Sequence, residues 1–354
     1  MASAALAIVI VTYDSAGHIG ATLDALRPQL EPGDELCVVD CASPAGPPTA
    51  EVARHAPTAR LIALAENAGF AGGANVGAAT TTAPLILLLN PDCVAQPGAL
   101  AALRASAEAQ PRWGCWQALV TLPGGGEINT SGGITHWLGF GWTGEYGAAV
   151  PPAGAALREV SFASGAACVV RREAWDAVGG FDPDYFMYAE DVDLSFRLRL
   201  AGWGVGVVLD ARVEHDYGFT KGDYKWFLLE RNRWWTVLAT YPSALLWPLL
   251  PALLGTELVV LVVAARSGWL PAKLRAQAAV LRSLPRALAR RRRVQATRRI
   301  PASAFAGYLS ARLDSPFLDA AAAGRLPQTL QAAYWRVVVR WAERSPNSLA
   351  RRSA

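Results

Sequence analysis

Short apolar runs alternate with stretches of helical period along the first half of the chain. Leu6–Thr12, Glu35–Asp40, Arg60–Ala65 and Leu85–Asn90 have the length and apolar content of buried strands. Between them, Ile19–Leu30, Thr49–Ala56 and Ala71–Thr80 read as helices. Strands separated by helices of that length predict βαβ units, and so an α/β fold with a mostly parallel sheet. Pro97–Gln110 continues the helical pattern. Leu122–Ala156, rich in Gly, Pro and Trp, predicts long loops or an irregular β excursion. Regular structure resumes with a strand at Ala167–Val170, a helix at Arg172–Val178, a strand near Val205–Leu209 and an aromatic-rich helix from Tyr224 to Thr240. Ala244–Ala265 is apolar except for Glu257, and Thr329–Glu343 returns to helical period.

The stretch Tyr188–Trp203 is the most chemical of these elements. Leu194, Leu198 and Leu200 alternate with Arg197 and Arg199 until Gly202 ends the helix. Glu190, Asp191 and Asp193 crowd its first turn, where the helix dipole favours negative charge. An acid cluster of that kind can be purely structural, and Arg197 is spaced to pair with Asp193 four residues earlier. Two further carboxylates lie at predicted strand ends: Asp40 closes Leu36–Asp40, and Asp92 follows Leu85–Asn90. In an open α/β sheet the carboxyl ends of the strands form the ligand-binding edge, although a strand-end Asp can also merely cap the next helix. Between them runs Asn67-Ala-Gly-Phe-Ala-Gly-Gly-Ala-Asn-Val-Gly77. Its glycines allow close backbone approach to a ligand, and the helix start beyond offers free N–H groups to an anion. It matches neither the dinucleotide nor the P-loop pattern. His215, one of four histidines, sits in Val213–Tyr217; an imidazole beside a carboxylate suits Mn²⁺ or Mg²⁺ less well than all-oxygen ligation, and phosphate oxygens of a substrate would complete such a shell.

Composition adds a membrane question. The 354 residues suffice for one large domain or two ordinary ones, and 52% hydrophobic content exceeds what a soluble enzyme needs. Ala244–Ala265 is long enough to cross a hydrocarbon layer of ~30 Å, but Pro248, Pro251 and Glu257 favour a re-entrant or interfacial hairpin with Trp247 and Trp269 at headgroup level. The alternative is a buried pair of core helices. No acidic residue occurs from Leu258 to Leu313, while arginines accumulate; Arg282, Arg286 and Arg290 share a helical face flanked by Leu281, Leu284 and Leu288, though Pro285 argues against an unbroken helix there. That face suits anionic lipid. A nucleic-acid partner is not expected, because the Arg290–Arg293 block has no aromatic neighbour on which bases would stack. The five cysteines form no CxxC pair and read as reduced core thiols of a cytosolic protein. The apolar opening, Met1–Val11, reads as a first strand rather than a signal peptide.

The motifs occur in a telling order: Ile8-Val-Ile-Val-Thr-Tyr13, Val38-Val-Asp40, Asn67-x-Gly-Phe70 with Asn75-x-Gly77, Leu89-Asn-Pro-Asp92, Ser164-Gly-Ala166, Arg171-Arg172, Val178-Gly-Gly-Phe-Asp182, Tyr188-x-Glu-Asp-Val-Asp-Leu194, Ala201-Gly-Trp203 and Arg231-Asn-Arg233. Over about residues 6 to 241 this series resembles the family-2 inverting glycosyltransferases, particularly the rhamnosyltransferase-like subgroup. The resemblance implies a GT-A fold, a nucleotide-diphosphate sugar donor and a divalent metal, Mn²⁺ or Mg²⁺. It assigns to the donor Thr12, Tyr13 and Asp40, then Asn67, Gly69, Phe70 and Asn75, and finally Asn90 and Asp92. Asp40 would hold the nucleoside through its base, and Asp92 would be the surviving acid of the DXD element. Asp191 would be the catalytic base, with Glu190 the runner-up, and Asp92 and His215 the metal or diphosphate ligands. Asn90 stands where the first DXD carboxylate is usual, and Cys41 and Ala45 stand where the family has Asn and Asp.

The implied division is a GT-A catalytic domain at 1–241, hydrophobic and basic membrane-associating helices at 242–312 and a helical tail at 313–354. The implied activity is transfer of a sugar, rhamnose among the candidates, to a hydroxyl of a glycan or polyprenyl-linked acceptor in cell-envelope synthesis. It would take place on the cytoplasmic side of the plasma membrane, with the enzyme peripheral or re-entrant. Two other readings of the same residues are a carboxylate-pair glycosidase and a sugar-nucleotide-binding membrane adaptor without catalysis.

Overall fold

The computed structural model describes residues 4–216, 222–315 and 325–344, so Tyr217 and much of the predicted tail lie outside the described residues. In chain order the first elements are β1 (Leu6–Thr12), α1 (Ala16–Leu26), β2 (Glu35–Asp40), α2 (Thr49–His55), β3 (Arg60–Ala63), α3 (Gly69–Ala79), β4 (Leu85–Leu89), β5 (Cys93–Ala95) and α4 (Ala99–Ala109). Then come β6 (Trp113–Thr121), β7 (Ile128–Thr130), β8 (Gly133–Thr135), β9 (Gly141–Thr143), β10 (Arg158–Glu159), β11 (Ala167–Arg171), α5 (Arg172–Val178), α6 (Glu190–Leu200) and β12 (Gly204–His215). The remainder is helical: α7 (Gly222–Thr240), α8 (Ser243–Arg266), α9 (Leu270–Ala296), α10 (Ala302–Ala306) and α11 (Arg325–Arg344).

The chain forms two compact units. The first gathers the residues up to Gly133, Thr143–Leu198 and the chain from Trp203 to the end of β12. Its sheet runs β10-β12-β6-β11-β4-β1-β2-β3, with β5 on β12 and β7 on β6. β1 pairs in parallel with β2 and β4, and β2 with β3, as the βαβ reading requires. β11 is inserted antiparallel between β4 and β6. All seven residues of β1 are buried, because both faces of the sheet are covered. Leu6, Ile8 and Ile10 pack with Ile19, Leu23, Leu100 and Leu103 on one face. On the other, Val9 and Val11 pack with Ala71, Ala74, Leu194 and Leu198.

Three local expectations change. β6 is a central strand that pattern reading missed, since Trp-Gly-Cys-Trp-Gln-Ala-Leu-Val-Thr neither alternates nor stays apolar, yet every residue is buried. β12 continues past Leu209 to His215 through a register shift between Val208 and Arg212. The prolines do not break α8 or α9: Pro251 and Pro285 are exposed and Pro248 is half-buried within continuous helices. A proline on an outward face costs one backbone hydrogen bond, and packing on the opposite face carries the helix past it.

The second unit gathers Ile134–Trp142, Arg199–Gly202 and the described chain from α7 onward. Trp137 stacks on Trp335 at 6.0 Å, Trp226 on Trp269 at 4.8 Å, and the Tyr334 hydroxyl donates to the Pro248 carbonyl. Arg233, from the Arg-Asn-Arg motif, donates to Glu230 and Glu257, while Lys273 donates to the same two carboxylates. Glu257 is thus turned inward and neutralised. Burial alone would raise Glu257, but the charges of Arg233 and Lys273 prevail and hold it at about 2.

Candidate active site

The carboxyl ends of β1, β2 and β4 make one rim, as parallel register dictates: Thr12 lies beside Asp40, and Ile10 beside Leu89. Asp40 is 1% exposed. Thr12 Oγ1 donates to it at 3.0 Å, as does the Ser43 backbone N–H, and the Ser43 hydroxyl adds a third bond. Its carboxylate therefore organises the loop after β2, where Ala42 takes a φ of +56°. Tyr13, next along the rim, is 50% exposed and presents an open ring.

The glycine-rich segment divides in two. Asn67 Oδ1 accepts from the Gly69 N–H at 2.9 Å and closes the turn into α3, with Gly69 at φ +66°. A Cβ at Gly69 would collide with the carbonyl of Phe186, so only glycine fits there. The later glycines serve packing instead. A Cβ at Gly73 would meet Val11 at 2.7 Å, and one at Gly77 would strike Val9, so these positions let α3 lie close on the sheet. Asn75 is committed to structure as well: its amide donates to the Phe181 carbonyl at 2.9 Å and accepts from the Phe181 N–H at 3.0 Å.

Antiparallel pairing of β5 with β12 sets His215 opposite Cys93. His215 Nε2 then lies 3.1 Å from Asp92 Oδ1 and 3.5 Å from Asn90 Nδ2. His215 is buried, and the Asp92 side chain is 32% exposed. The Asp92, Cys93 and His215 ligand atoms lie within 4.8 Å of one another. Burial pushes the Cys93 thiol well above its ordinary range, and the thiol donates to the Ala166 carbonyl, so Cys93 does not suit a hard cation. Asp92 and His215 offer one oxygen and one imidazole nitrogen. That pair suits Mn²⁺ better than Mg²⁺, and phosphate oxygens would be apt ligands for the remaining positions.

The acids at the start of α6 have separate surroundings. Asp193 is paired: Arg197 Nε donates to it at 2.7 Å, the Tyr185 hydroxyl at 3.2 Å, and Arg197 also reaches the Val178 and Gly180 carbonyls. Among the described residues no cation pairs with Glu190 or Asp191. Asp191 is half-buried and accepts the Gly165 N–H at 3.1 Å and the Val192 N–H at 2.7 Å. Glu190 is 7% exposed, and its Oε2 has no hydrogen-bond partner among the described residues. Burial raises both carboxyls. The neighbouring Asp191 charge drives Glu190 further up, whereas the backbone N–H donors moderate Asp191. Of the two, Glu190 is raised the more, and Asp191 is the member that solvent reaches. The loop before them is strained, with Phe186, Tyr188 and Ala189 at φ +64°, +67° and +62°.

Gly165 and Ala166 connect these groups. Gly165 holds Asp191, and the Ala166 carbonyl accepts the Asn90 N–H at 2.9 Å, where β11 meets the end of β4. Asp191, Asn90, Asp92 and His215 thus share one rim, and Asp40 lies two strands away, about 10 Å by sheet spacing. Ser164-Gly-Ala166 was visible in the sequence as a motif, but no pattern in it signalled that a backbone N–H would fix Asp191.

A carboxylate held by two backbone N–H groups lies with a carboxylate–imidazole pair on the carboxyl rim of an α/β sheet, the edge where such sheets bind their ligands. The family model described as Glycosyltransferase like family 2 matches residues 4–236, and the chain belongs to that family. It is 32% identical over 246 residues to the N-acetylglucosaminyl-diphospho-decaprenol L-rhamnosyltransferase of Mycobacterium tuberculosis, covering 61% of this chain and 78% of that protein. A shorter match, 36% over 75 residues, is to Rhamnosyltransferase WbbL of Escherichia coli, covering 21% of this chain and 27% of that one. Among solved structures, S. aureus TarS 1-349 in complex with UDP-GlcNAc superimposes with a TM-score of 0.52 at 14% identity, over 99% of this chain and 92% of that one. GalNAc-T7 with UDP, GalNAc and Mn²⁺ gives 0.55 at 14%, over 71% of this chain and 51% of that one. These likenesses establish the GT-A fold. The protein is a glycosyltransferase, and its family favours neither a glycosidase nor a non-catalytic adaptor.

Proposed function

We propose that this enzyme transfers a sugar, with inversion, from a nucleotide-diphosphate donor to a hydroxyl of a polyprenyl-diphosphate-linked glycan during cell-envelope synthesis. Rhamnose is the first sugar to test, because the Mycobacterium tuberculosis relative is an L-rhamnosyltransferase acting on a decaprenol-linked acceptor. The observation that carries the reading is Asp191, half-buried at the start of α6 and held by two backbone N–H groups, beside a Glu190 that burial and the Asp191 charge raise further. A hydroxyl is a poor nucleophile until a carboxylate within hydrogen-bond reach takes its proton, and we assign that role to Asp191. Attack opposite the leaving diphosphate passes through an oxocarbenium-like state, as in glycoside hydrolysis.

Asp92 and His215 would hold a divalent cation, which when bound supplies Lewis-acid stabilisation of the departing diphosphate. Tyr13 is the exposed ring for the nucleobase, and Asp40 shapes that end of the site by fixing Thr12 and Ser43. We place the enzyme on the cytoplasmic side of the plasma membrane, peripheral or re-entrant. α8 is long and apolar enough to cross a membrane, and only 22% of its most apolar window is buried.

The test is a panel of nucleotide sugars offered with a polyprenyl-diphosphate-linked N-acetylglucosamine acceptor and Mn²⁺, with products read by mass spectrometry. Transfer of one donor sugar supports the reading. Sugar release that needs no nucleotide, or nucleotide binding without transfer for any donor, refutes it.

A further inference from the structure

Helix α9 carries two parallel lines of exposed side chains. At about 100° per residue, Arg275, Arg282, Arg286 and Arg293 fall within roughly 20° of one line, and all four are exposed. A second line, roughly 100–140° round the helix by the same geometry, holds Leu274, Leu281 and Leu288, which are 50%, 71% and 42% exposed. The opposite side, with Ala272, Ala276, Val280, Ala287 and Val294, is buried within the unit. The arginine line differs from the one the sequence suggested. Arg290 is half-buried, and Arg291 donates to the Leu238 and Tyr241 carbonyls and the Ser243 hydroxyl. In the same unit α8 exposes Trp247, Leu254, Leu258 and Val262 along one stripe, while its Glu257 turns inward to Lys273 and Arg233.

Resting on the proposed membrane-surface role, we infer that α9 lies flat on an anionic bilayer. Its leucine line enters the acyl boundary, its arginine line grips lipid phosphates, and the α8 stripe adds apolar anchorage. Charge complementarity selects this occupant. The chain has no acidic residue from Leu258 to Leu313, so α9 itself carries no carboxylate to pair with Arg275, Arg282, Arg286 or Arg293. A second copy of the chain seated on the same face would set like charges against each other. A leucine line gives nucleic-acid bases no platform for stacking. Arginine beside exposed apolar residues on one helix is the composition of an interfacial helix, and each basic residue near the surface is worth about a five-fold change in partitioning.

The experiment is co-sedimentation of the full chain with phosphatidylcholine vesicles, with and without phosphatidylglycerol. The wild type should bind the anionic vesicles and release as salt rises. Arg282→Gln with Arg286→Gln should weaken binding roughly 30-fold, two such steps, and Arg275→Gln with Arg293→Gln should do the same. Leu281→Ser should weaken binding even at low salt. Circular dichroism melts confirm folding, since all these positions are exposed. Equal binding by wild type and both double variants, binding indifferent to phosphatidylglycerol, or a lipid-free dimer dispersed by Leu281→Ser would each overturn the inference. Transfer to a short-chain, water-soluble acceptor reads the active site separately. If that activity persists while vesicle binding ignores the arginines, the transferase reading stands and this one falls; binding without any transfer gives the converse.

Discussion

Two clusters of buried acid in this protein have opposite electrostatics. Glu230 and Glu257 share Arg233 and Lys273, so two negative charges meet two positive ones and Gln277 donates to Glu257 as well. Burial would raise Glu230, yet the paired cations hold it below the ordinary carboxylate range. Among the described residues no cation pairs with Glu190 or Asp191; burial raises both, and the Asp191 charge raises Glu190 further. The first arrangement is a clamp between α7, α8 and α9. The second leaves Asp191 without a cation among the described residues, which suits the base proposed for it. Asp193 shows the dividing line within one helix turn, because Arg197 neutralises it and removes it from the chemistry.

The sharpest way to break this contrast is Asp191→Asn. Removing the base should cost about 10²- to 10⁴-fold in turnover, with nucleotide binding and melting temperature nearly unchanged; turnover close to wild type would reassign the base. Lys273→Met should do the reverse. It leaves Glu230 and Glu257 with one cation, costing about 3–5 kcal/mol in chemical denaturation, and an unaltered denaturation midpoint would show that the clamp is not held by charge. Gly69→Ala forces a Cβ onto Phe186 at positive φ and disturbs the strained loop ahead of the acid pair. A loss of about 1–3 kcal/mol is expected, accompanied by a fall in turnover that Lys273→Met would not reproduce in proportion to its stability loss.

The pH dependence is the subtlest readout, and its sign differs between the clusters. Glu190 has a raised folded pKa, so its contribution is fully present below the ordinary ~4.3 and is lost as pH climbs through the raised value. Glu190→Gln should therefore flatten the decline in stability from weakly acidic to neutral pH, as measured by urea denaturation at several pH values. Glu257 has a lowered pKa of about 2, so its contribution is present above ~4.3 and is lost as pH falls through the folded value. Glu257→Gln should weaken the protein at neutral pH and blunt its acid denaturation. Parallel pH curves for the two variants would erase the distinction between site and clamp.

Much of the architecture could be read from local pattern. β1, β2 and β4 are apolar runs because both sheet faces are covered, and α5 has the bounds its sequence predicts. The rim position of Asp40 and Asp92 followed from parallel pairing, and the motif series led to the family. Other roles were not legible. Asn75 and Gly77 look like ligand contacts in the sequence but serve packing, since only the fold brings Phe181 and Val9 against them. Asp40 is expected to face the nucleoside, and that its carboxylate also holds Thr12 and Ser43 was not legible from the sequence.

Taken alone, the sequence determined the alternating strands and helices of the first half and which acids stand at their ends, because periodicity records whether each position meets solvent or core; it did not reveal β6, whose pattern neither alternates nor stays apolar. Only the tertiary structure decided which charges are answered. Lys273 reaches Glu230 across two helices, His215 reaches Asp92 through an antiparallel strand pair, and the Gly165 N–H reaches Asp191 from a loop. Those pairings join segments distant in the chain, and the strength and direction of each depend on distance and burial, neither of which local periodicity carries.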